Sequence, residues 1–171
     1  MNKKGFTLIE LLIVIAVLGT LAVVVLIALN PVQQLARTRD AGRDSTVNQL
    51  GRSMEARGTI LGGQYPALGA GGATGWISDL LVSSGEITTV PSAVAYSAGS
   101  ATSCGGQNGY CYVTNRDSFK IYAVAEAESN ISQCASGTAY FVYSSLDGRG
   151  GLACLAAAPS AGTAIGSSYV Q

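Results

Sequence analysis

The apolar segment from Phe6 to Leu29 constrains the fold of this chain more than any other feature. It holds 24 residues, of which Glu10 is the only ionisable one. A helix of that length measures about 36 Å, which is enough to cross a bilayer. An acidic side chain costs roughly 2.5 to 3.5 kcal/mol at the centre of a membrane helix and less near its end. Glu10 therefore needs either a partner or a position near the membrane interface.

The residues around this segment indicate export with retention of the anchor. Lys3 and Lys4 form a basic start, as in an export signal. The apolar run is longer than the ~7 to 15 residues of an ordinary signal peptide, and no small-residue cleavage site follows it. Arginines beyond the segment leave the positive charges on its two sides nearly balanced, so charge alone does not predict the orientation.

The four cysteines settle the expected orientation. Cys104, Cys111, Cys134 and Cys154 all follow the apolar segment, and no two of them form a Cys-x-x-Cys pair. This favours disulfides over zinc, and disulfides favour an oxidising compartment. Three pairings are open; we expect Cys104 with Cys111, and Cys134 with Cys154. The cysteine-bearing part should then lie outside the cytoplasm, with the first five residues inside it.

Residues 4–10, Lys-Gly-Phe-Thr-Leu-Ile-Glu, and the aliphatic stretch behind them resemble the class III signal of type IV pilins and type II secretion pseudopilins. The resemblance implies that a prepilin peptidase cuts between Gly5 and Phe6 and methylates the new amine of Phe6. It also implies that Glu10 neutralises the amino terminus of an adjacent subunit and so sets the register of a filament. A buried polar contact that fixes register has precedent in coiled coils.

The chain is expected to divide into four parts: a leader at 1–5, a membrane and filament-core helix at 6–30, an amphipathic half of the same helix at 31–58, and a head at 59–171. Pro31 lies where the apolar run ends. It either bends one continuous helix, which we favour, or begins a second helix that Asn30 caps. Gly58 is a plausible end for the amphipathic part.

Beyond Pro31, apolar residues recur at helical spacing and form a stripe that can lie on a sheet: Val32, Leu35, Ala36, Val47, Leu50 and Met54. Arg39 and Arg43 are a like-charged pair four residues apart, which is unfavourable in an isolated helix. Either neighbouring subunits neutralise such charges, or they belong to a solvated face. Gly42 and Gly51 lower helix propensity and suggest close packing against something.

Strand patterns follow the helix and predict an α+β fold, with an antiparallel sheet of about three to four strands on the amphipathic half of the helix. Three strands are expected at 110–115, 119–129 and 138–146, with a fourth at 93–97 or 152–157. On the second strand, Phe119, Ile121, Ala123 and Ala125 should face the helix, and Lys120, Tyr122 and Val124 should face away. The eight tyrosines suit exposed or half-buried strands. The tail after residue 155 has little pattern and is expected to be an extended surface segment or frayed.

The composition argues against catalysis and cofactors. The chain has no histidine, and only Lys120 of its three lysines would remain after loss of the leader. Asp147-Gly148 resembles the start of a calcium loop, but no further carboxylates follow nearby, so a plain turn is favoured and no metal is expected. Tyrosines and arginines would suit a DNA contact, yet solvated strand faces explain them better, so DNA is an unsupported partner.

The expected function is that of a structural subunit, a type IV pilin that polymerises through its N-terminal helix. Its expected partners are copies of itself, a prepilin peptidase, a pilus assembly platform with its ATPase machinery, and the membrane before assembly. The precursor would be a single-pass protein of the cytoplasmic membrane, and the product an extracellular filament. Two alternatives remain: a pseudopilin that builds a short periplasmic piston, and a membrane-tethered extracellular binding domain that never polymerises.

Overall fold

The computed structural model of the chain describes residues 5–69, 72–93, 95–96 and 103–170. It has two compact units, one up to Leu35 and one from Ala36 onward, and each is described by itself. The elements in chain order are α1 (Leu8–Leu29), α2 (Pro31–Ile60), α3 (Gly72–Ile77) with a following π-helical turn (Ser78–Val82), β1 (Cys111–Thr114), β2 (Phe119–Val124), α4 (Glu128–Ile131), β3 (Thr138–Ser144), β4 (Arg149–Leu155) and a 3-10 turn (Gly166–Ser168).

Helix α1 is long and apolar enough to cross a membrane, and it is the one such helix among the described residues. None of its residues is buried. The exposed fractions of its large apolar side chains run from 48% at Val14 to 82% at Leu8. A polypeptide does not leave so continuous an apolar surface in water, because the burial of apolar area is the main driving force of folding. By its length and composition, α1 is therefore a candidate membrane span.

The helix is interrupted at Asn30 rather than only bent at Pro31. Asn30 follows the last residue of α1 with φ 41° and ψ 72°, a left-handed conformation that ends a helix. Its carbonyl oxygen accepts the backbone N–H groups of Gln33 and Gln34, which begins the hydrogen bonding of α2. Pro31 occupies the first position of α2, where its missing N–H costs nothing. The predicted long N-terminal helix is present as two segments, α1 and α2, which are interrupted at Asn30 as in the alternative that places Pro31 at the start of a second helix.

Helix α2 packs against one face of the sheet from Ala36 onward. Its buried apolar residues Val47, Leu50 and Met54 belong to one core with Phe119 and Ile121 of β2. Trp76, Leu81, Tyr112, Ala123, Ala125 and Phe141 lie in the same core. The predicted inward face of the second strand is confirmed. Helix α2 ends at Ile60, two residues after the predicted stop at Gly58.

The sheet has four antiparallel strands in the order β1-β2-β3-β4, so each strand pairs with its neighbours in sequence. The three predicted strands are present, but the second is shorter than predicted: β2 ends at Val124, and α4 begins at Glu128, inside the predicted range 119–129. The predicted turn at Asp147-Gly148 connects β3 to β4. The fourth strand is β4, which overlaps the predicted range 152–157. In the other predicted range, 93–97, residues 94 and 97 lie outside the described residues, and the remaining three form no strand.

The C-terminal segment lies on the surface, as one of the two expectations had it, but it is not frayed, because it packs on the outer face of the sheet. Ile165 and Tyr169 are each 6% exposed and pack with Tyr122, Tyr140 and Val142 in a second apolar cluster. Two apolar side chains four residues apart are enough to dock a segment that otherwise lacks pattern. The backbone N–H of Val170 also donates to the carbonyl of Leu152, which closes part of the free edge of β4.

Covering the outer face changes the environment of Lys120 and of the tyrosines. Lys120 is 2% exposed, and its Nζ donates to the carbonyl of Ser160 and to Oγ1 of Thr163. Burial lowers the pKa of Lys120, and the charge of Asp147 partly opposes that shift. Six of the eight tyrosines are buried: Tyr110, Tyr112, Tyr122, Tyr140, Tyr143 and Tyr169. The tyrosines were expected to suit exposed or half-buried strands, but the strands that carry most of these six are covered on both faces.

Substitution of glycine by alanine should have opposite effects on stability at two positions of α2, Gly51 and Gly42. A Cβ atom at Gly51 would overlap the ring of Tyr143, whereas a Cβ atom at Gly42 would meet nothing within 4 Å. Gly51→Ala should lower the free energy of unfolding by about 1 to 3 kcal/mol through overpacking. Gly42→Ala should raise it by about 0.5 to 1 kcal/mol, because alanine loses less backbone entropy in a helix.

The measurement is guanidinium unfolding of the full chain in detergent micelles, followed through the fluorescence of Trp76, the single tryptophan. Trp76 is buried and stacks on Tyr112, so its emission reports on the core. A destabilising Gly42→Ala, or a neutral Gly51→Ala, would contradict the packing described for α2.

Candidate functional site

The N-terminal end of α1 contains the residues that sequence reasoning singled out for processing. Gly5, Phe6 and Thr7 precede the helix and are not helical. The side chain of Phe6 is 86% exposed. Thr7 has φ −83° and ψ 152°, an extended conformation, and acts as the N-cap residue of α1. The peptide bond between Gly5 and Phe6 thus lies outside the helix.

Glu10 has a partner in its own chain that the sequence reasoning missed. The backbone N–H of Thr7 donates to Oε2 of Glu10 at 2.9 Å, and the Thr7 hydroxyl donates to the same oxygen at 2.8 Å. In return, the backbone N–H of Glu10 donates to Oγ1 of Thr7 at 3.3 Å. This reciprocal arrangement is a capping box. The pattern Thr-x-x-Glu was readable in the sequence as such a signal.

The capping box explains in part how the apolar segment can contain the acidic side chain of Glu10. The carboxylate sits in the first turn of α1, where the positive end of the helix dipole favours a negative charge. The capping box satisfies two backbone N–H groups that the start of a helix otherwise leaves unpaired. The Glu10 carboxylate accepts the N–H of Thr7, and the Thr7 hydroxyl oxygen accepts the N–H of Glu10. Glu10 therefore needs no second chain to be tolerated. Whether it also binds the amine of a neighbouring subunit remains a prediction.

A cluster of four charged side chains joins α2 to the end of β2. Arg39 makes a two-point contact with Glu126, from Nε to Oε2 at 3.0 Å and from Nη2 to Oε1 at 2.6 Å. Arg43 donates to Oε2 of the same glutamate at 2.9 Å and to Oδ1 of Asp40 at 2.6 Å. Asp40, Arg43 and Glu126 are each 2% exposed or less. The two positive and two negative charges balance, as buried charges require.

Asp40 also holds the chain that follows β2. Its carboxylate accepts the backbone N–H groups of Glu126 and Ala127 and the side-chain amide of Asn130. The guanidinium of Arg43 lies 3.8 Å from the ring centroid of Tyr96. Hydrogen bonds to ionised groups are roughly twice as strong as neutral ones. The cluster therefore fixes the position of α2 on the sheet by directional contacts in addition to apolar packing.

Both sequence interpretations fail for Arg39 and Arg43, because both side chains bind Glu126 within the chain. The hydrogen bonds to Glu126 raise the pKa of Arg39 above its ordinary value. Sequence reasoning missed Glu126 because it lies more than 80 residues further along the chain. Only the fold brings it beside α2.

The cysteines lie in the two pairs that the sequence favoured. Cys104 is bonded to Cys111 at the start of β1, and Cys134 is bonded to Cys154 in β4. The loop closed by the first disulfide carries Gln107, whose Oε1 accepts the backbone N–H groups of Ile77 and Ser78. The first disulfide therefore also fixes a loop that holds the helical connection between α2 and the sheet.

Asp147 serves the tail and is not arranged as a cation ligand. Its carboxylate oxygens accept the backbone N–H groups of Ile165 at 2.8 Å and Gly166 at 3.1 Å. Burial alone would raise its pKa, but these bonds and the hydroxyl of Ser144 hold the pKa of Asp147 below its ordinary value. Among the described residues, no three His, Cys, Asp or Glu side chains are grouped to hold a metal ion.

The charge cluster predicts a large contrast between two arginines of α2. Arg43→Met leaves the charges of Asp40 and Glu126 buried without this partner, so it should lower the free energy of unfolding by about 3 to 5 kcal/mol. Arg37→Met, at an exposed position of the same helix, should change it by about 0.5 kcal/mol or less. Guanidinium unfolding of the full chain in micelles measures both. Equal effects of the two substitutions would contradict the role assigned to the cluster.

The N-terminal residues match a known motif. The family model for the prokaryotic N-terminal methylation motif matches residues 1–26, the class III prepilin signal of type IV pilins and pseudopilins. No curated protein and no solved structure matches the chain significantly. The match covers Gly5, Phe6 and Glu10, and the apolar helix and α+β head fit the architecture of such proteins. The motif is that of structural pilin and pseudopilin subunits, and in this chain it is matched at the N-terminal 26 residues.

Proposed function

We propose that the chain is a type IV pilin subunit, which a prepilin peptidase trims between Gly5 and Phe6 and which polymerises into a surface filament through α1. The observation that carries this proposal is the uncovered surface of α1 behind a prepilin signal. Twenty-two residues form this helix, and none of them is buried. Before assembly the lipid would cover the helix, and afterwards the same helix of other subunits would cover it.

The transfer from lipid to filament exchanges one apolar environment for another, so burial alone does not drive it. A polar contact that forms only between subunits would favour the filament over the lipid. Cleavage creates such a contact, because the amine of Phe6 becomes cationic while the carboxylate of Glu10 lies four residues on. Pairing of the Phe6 amine with Glu10 of the next subunit would neutralise both charges inside the apolar core. Repetition of one head-to-tail contact builds an open helical polymer.

The expected partners follow from this cycle. The prepilin peptidase and the cytoplasmic membrane act on the precursor. The assembly platform and its ATPase extract the trimmed subunit, and copies of the chain then form the filament. The compact unit from Ala36 onward, which is called the head from here on, has its own apolar core and both disulfides and would remain folded throughout. The disulfides favour an extracellular position for the head.

The mature N-terminus tests the first step. Mass spectrometry of the protein purified from cells should find a chain that begins at Phe6 with one methyl group on its amine. Cells that lack the prepilin peptidase should yield the chain with its leader intact. An uncut N-terminus in peptidase-positive cells, or a cut after Leu29, would contradict the proposal.

Glu10 tests the second step. Glu10→Gln keeps an acceptor for Thr7, and so the capping box, but removes the charge. The yield of shed filaments should fall about tenfold or more, since a loss of ~1.4 kcal/mol per contact weakens each addition tenfold. Asp117→Asn, in an exposed turn of the head, removes a charge elsewhere and should leave the yield unchanged. Shed material is quantified by immunoblot and electron microscopy.

The location of the filaments separates the pilin from its alternatives. Long fibres in the medium support a surface pilus, whereas filaments confined to the periplasm would identify a pseudopilin. A tethered binding domain predicts that Glu10→Gln changes neither localisation nor function. Wild-type filament yield from the Glu10→Gln chain would therefore exclude the assembly role proposed for this residue.

A further inference from the structure

We propose that Thr7 is a positioning residue for cleavage: by setting the start of α1, it keeps the Gly5–Phe6 bond in non-helical backbone that the prepilin peptidase can bind. This inference rests on the proposed function, because it assumes cleavage at that bond. It adds a role for a residue whose side chain lies two positions beyond the bond. Three observations carry it: the boundary of α1, the conformation of Thr7, and the occupation of the Glu10 backbone N–H.

The Gly5–Phe6 bond lies before the start of α1, and two non-helical residues, Phe6 and Thr7, follow it before the helix begins at Leu8. The carbonyl of Thr7 already accepts the N–H of Leu11, the first hydrogen bond of the helix. Phe6 and Thr7 thus separate the carbonyl of Gly5 from the helical hydrogen bonds.

An extension of α1 by about half a turn would bring the carbonyl of Gly5 into a helical hydrogen bond. A helix that began two residues earlier would use the carbonyl of Gly5 to accept the N–H of Ile9, and the carbonyl of Phe6 to accept the N–H of Glu10. The carbonyl of Gly5 is the group that water must attack. In an apolar medium, unpaired N–H groups at a helix start are costly, so an uncapped α1 would gain by extending in this direction.

Thr7 prevents the extension by satisfying the donor that would drive it. Its Oγ1 accepts the backbone N–H of Glu10 at 3.3 Å, and that N–H is then not available to the carbonyl of Phe6. Glu10 completes the stop by accepting the N–H of Thr7 at 2.9 Å. Gly5 and Phe6 therefore stay outside the helix, where an enzyme groove can bind their backbone N–H and C=O groups.

The chemical step itself is ordinary hydrolysis. Water adds to the carbonyl carbon of Gly5 and the bond to the nitrogen of Phe6 breaks, which leaves a carboxylate on Gly5 and an amine on Phe6. Thr7 takes no part in this exchange of atoms. Its effect is on the fraction of precursors whose scissile bond is accessible, and so on the cleavage rate at low substrate concentration.

The experiment compares initial rates of cleavage of full-length precursors by purified prepilin peptidase in liposomes. Thr7→Val keeps the size and branching of threonine but cannot accept the N–H of Glu10. Its rate should fall about fivefold, the population change that loss of an N-cap produces. Thr7→Ser and Thr7→Asn keep a capping oxygen on different side chains, and their rates should stay within about twofold of wild type.

A further variant controls for other effects. Thr20→Val removes a threonine hydroxyl from the interior of α1, where it donates to the carbonyl of Val17, and should be cleaved at the wild-type rate. A rate for Thr20→Val as low as that of Thr7→Val would show that loss of any threonine hydroxyl from α1 slows cleavage, and would contradict a specific role for Thr7.

A wild-type rate for Thr7→Val would overturn the inference. Equal slowing of Thr7→Val and Thr7→Asn would also overturn it, because the peptidase would then be reading the threonine side chain itself. Rescue by both Ser and Asn, with slowing by Val, supports it. If the wild-type precursor is not cut while an established prepilin in the same liposomes is, the proposed function fails first, which distinguishes the two failures.

Discussion

The uncovered apolar surface of α1 is the constraint on which the rest of the molecule depends. Each of its large aliphatic side chains exposes about half of its area or more. No stable state of the chain in water can leave that surface bare, since the hydrophobic effect is the strongest driving force in folding and association. Under the proposed function, α1 lies in lipid before assembly and against other helices afterwards. The head must then fold without help from α1.

The head meets that requirement with contacts of three kinds. Apolar packing joins α2 to the inner face of the sheet, and the C-terminal segment covers the outer face. Two disulfides fix the loop before β1 and the region after α4. The charges of Arg39, Arg43 and Glu126 add direction to the contact between α2 and the sheet. Buried ion pairs contribute little net stability compared with apolar residues of the same shape, but they are costly to break. The cluster therefore opposes displacement of α2 from the sheet more than it adds to the net free energy of unfolding.

Local patterns in the sequence predicted the local features of this structure. The anchor, the strands, the inward face of β2 and the positions of the turns all follow from hydrophobic periodicity and turn residues within short windows. The capping box is equally local, since the spacing Thr-x-x-Glu at the start of an apolar helix indicates it without any distant residue.

The features that sequence reasoning got wrong are those decided by distant residues. Glu126 neutralises two arginines more than 80 residues away, and no window on α2 contains that information. Ile165 and Tyr169 dock the tail on a sheet face that looked solvent-exposed on its own. Asn30 is a boundary case, because both an intact helix and a broken one fitted Asn-Pro, and the left-handed conformation of Asn30 decided between them.

The most direct test of the central claim is a cryo-electron microscopy reconstruction of fibres shed by cells that express the chain. The proposal predicts a helical polymer in which α1 of every subunit lines the axis and the amine of Phe6 lies within ion-pair distance of Glu10 in a neighbouring subunit. A fibre with α1 on its outer surface, or with Glu10 distant from every amino terminus, would contradict it.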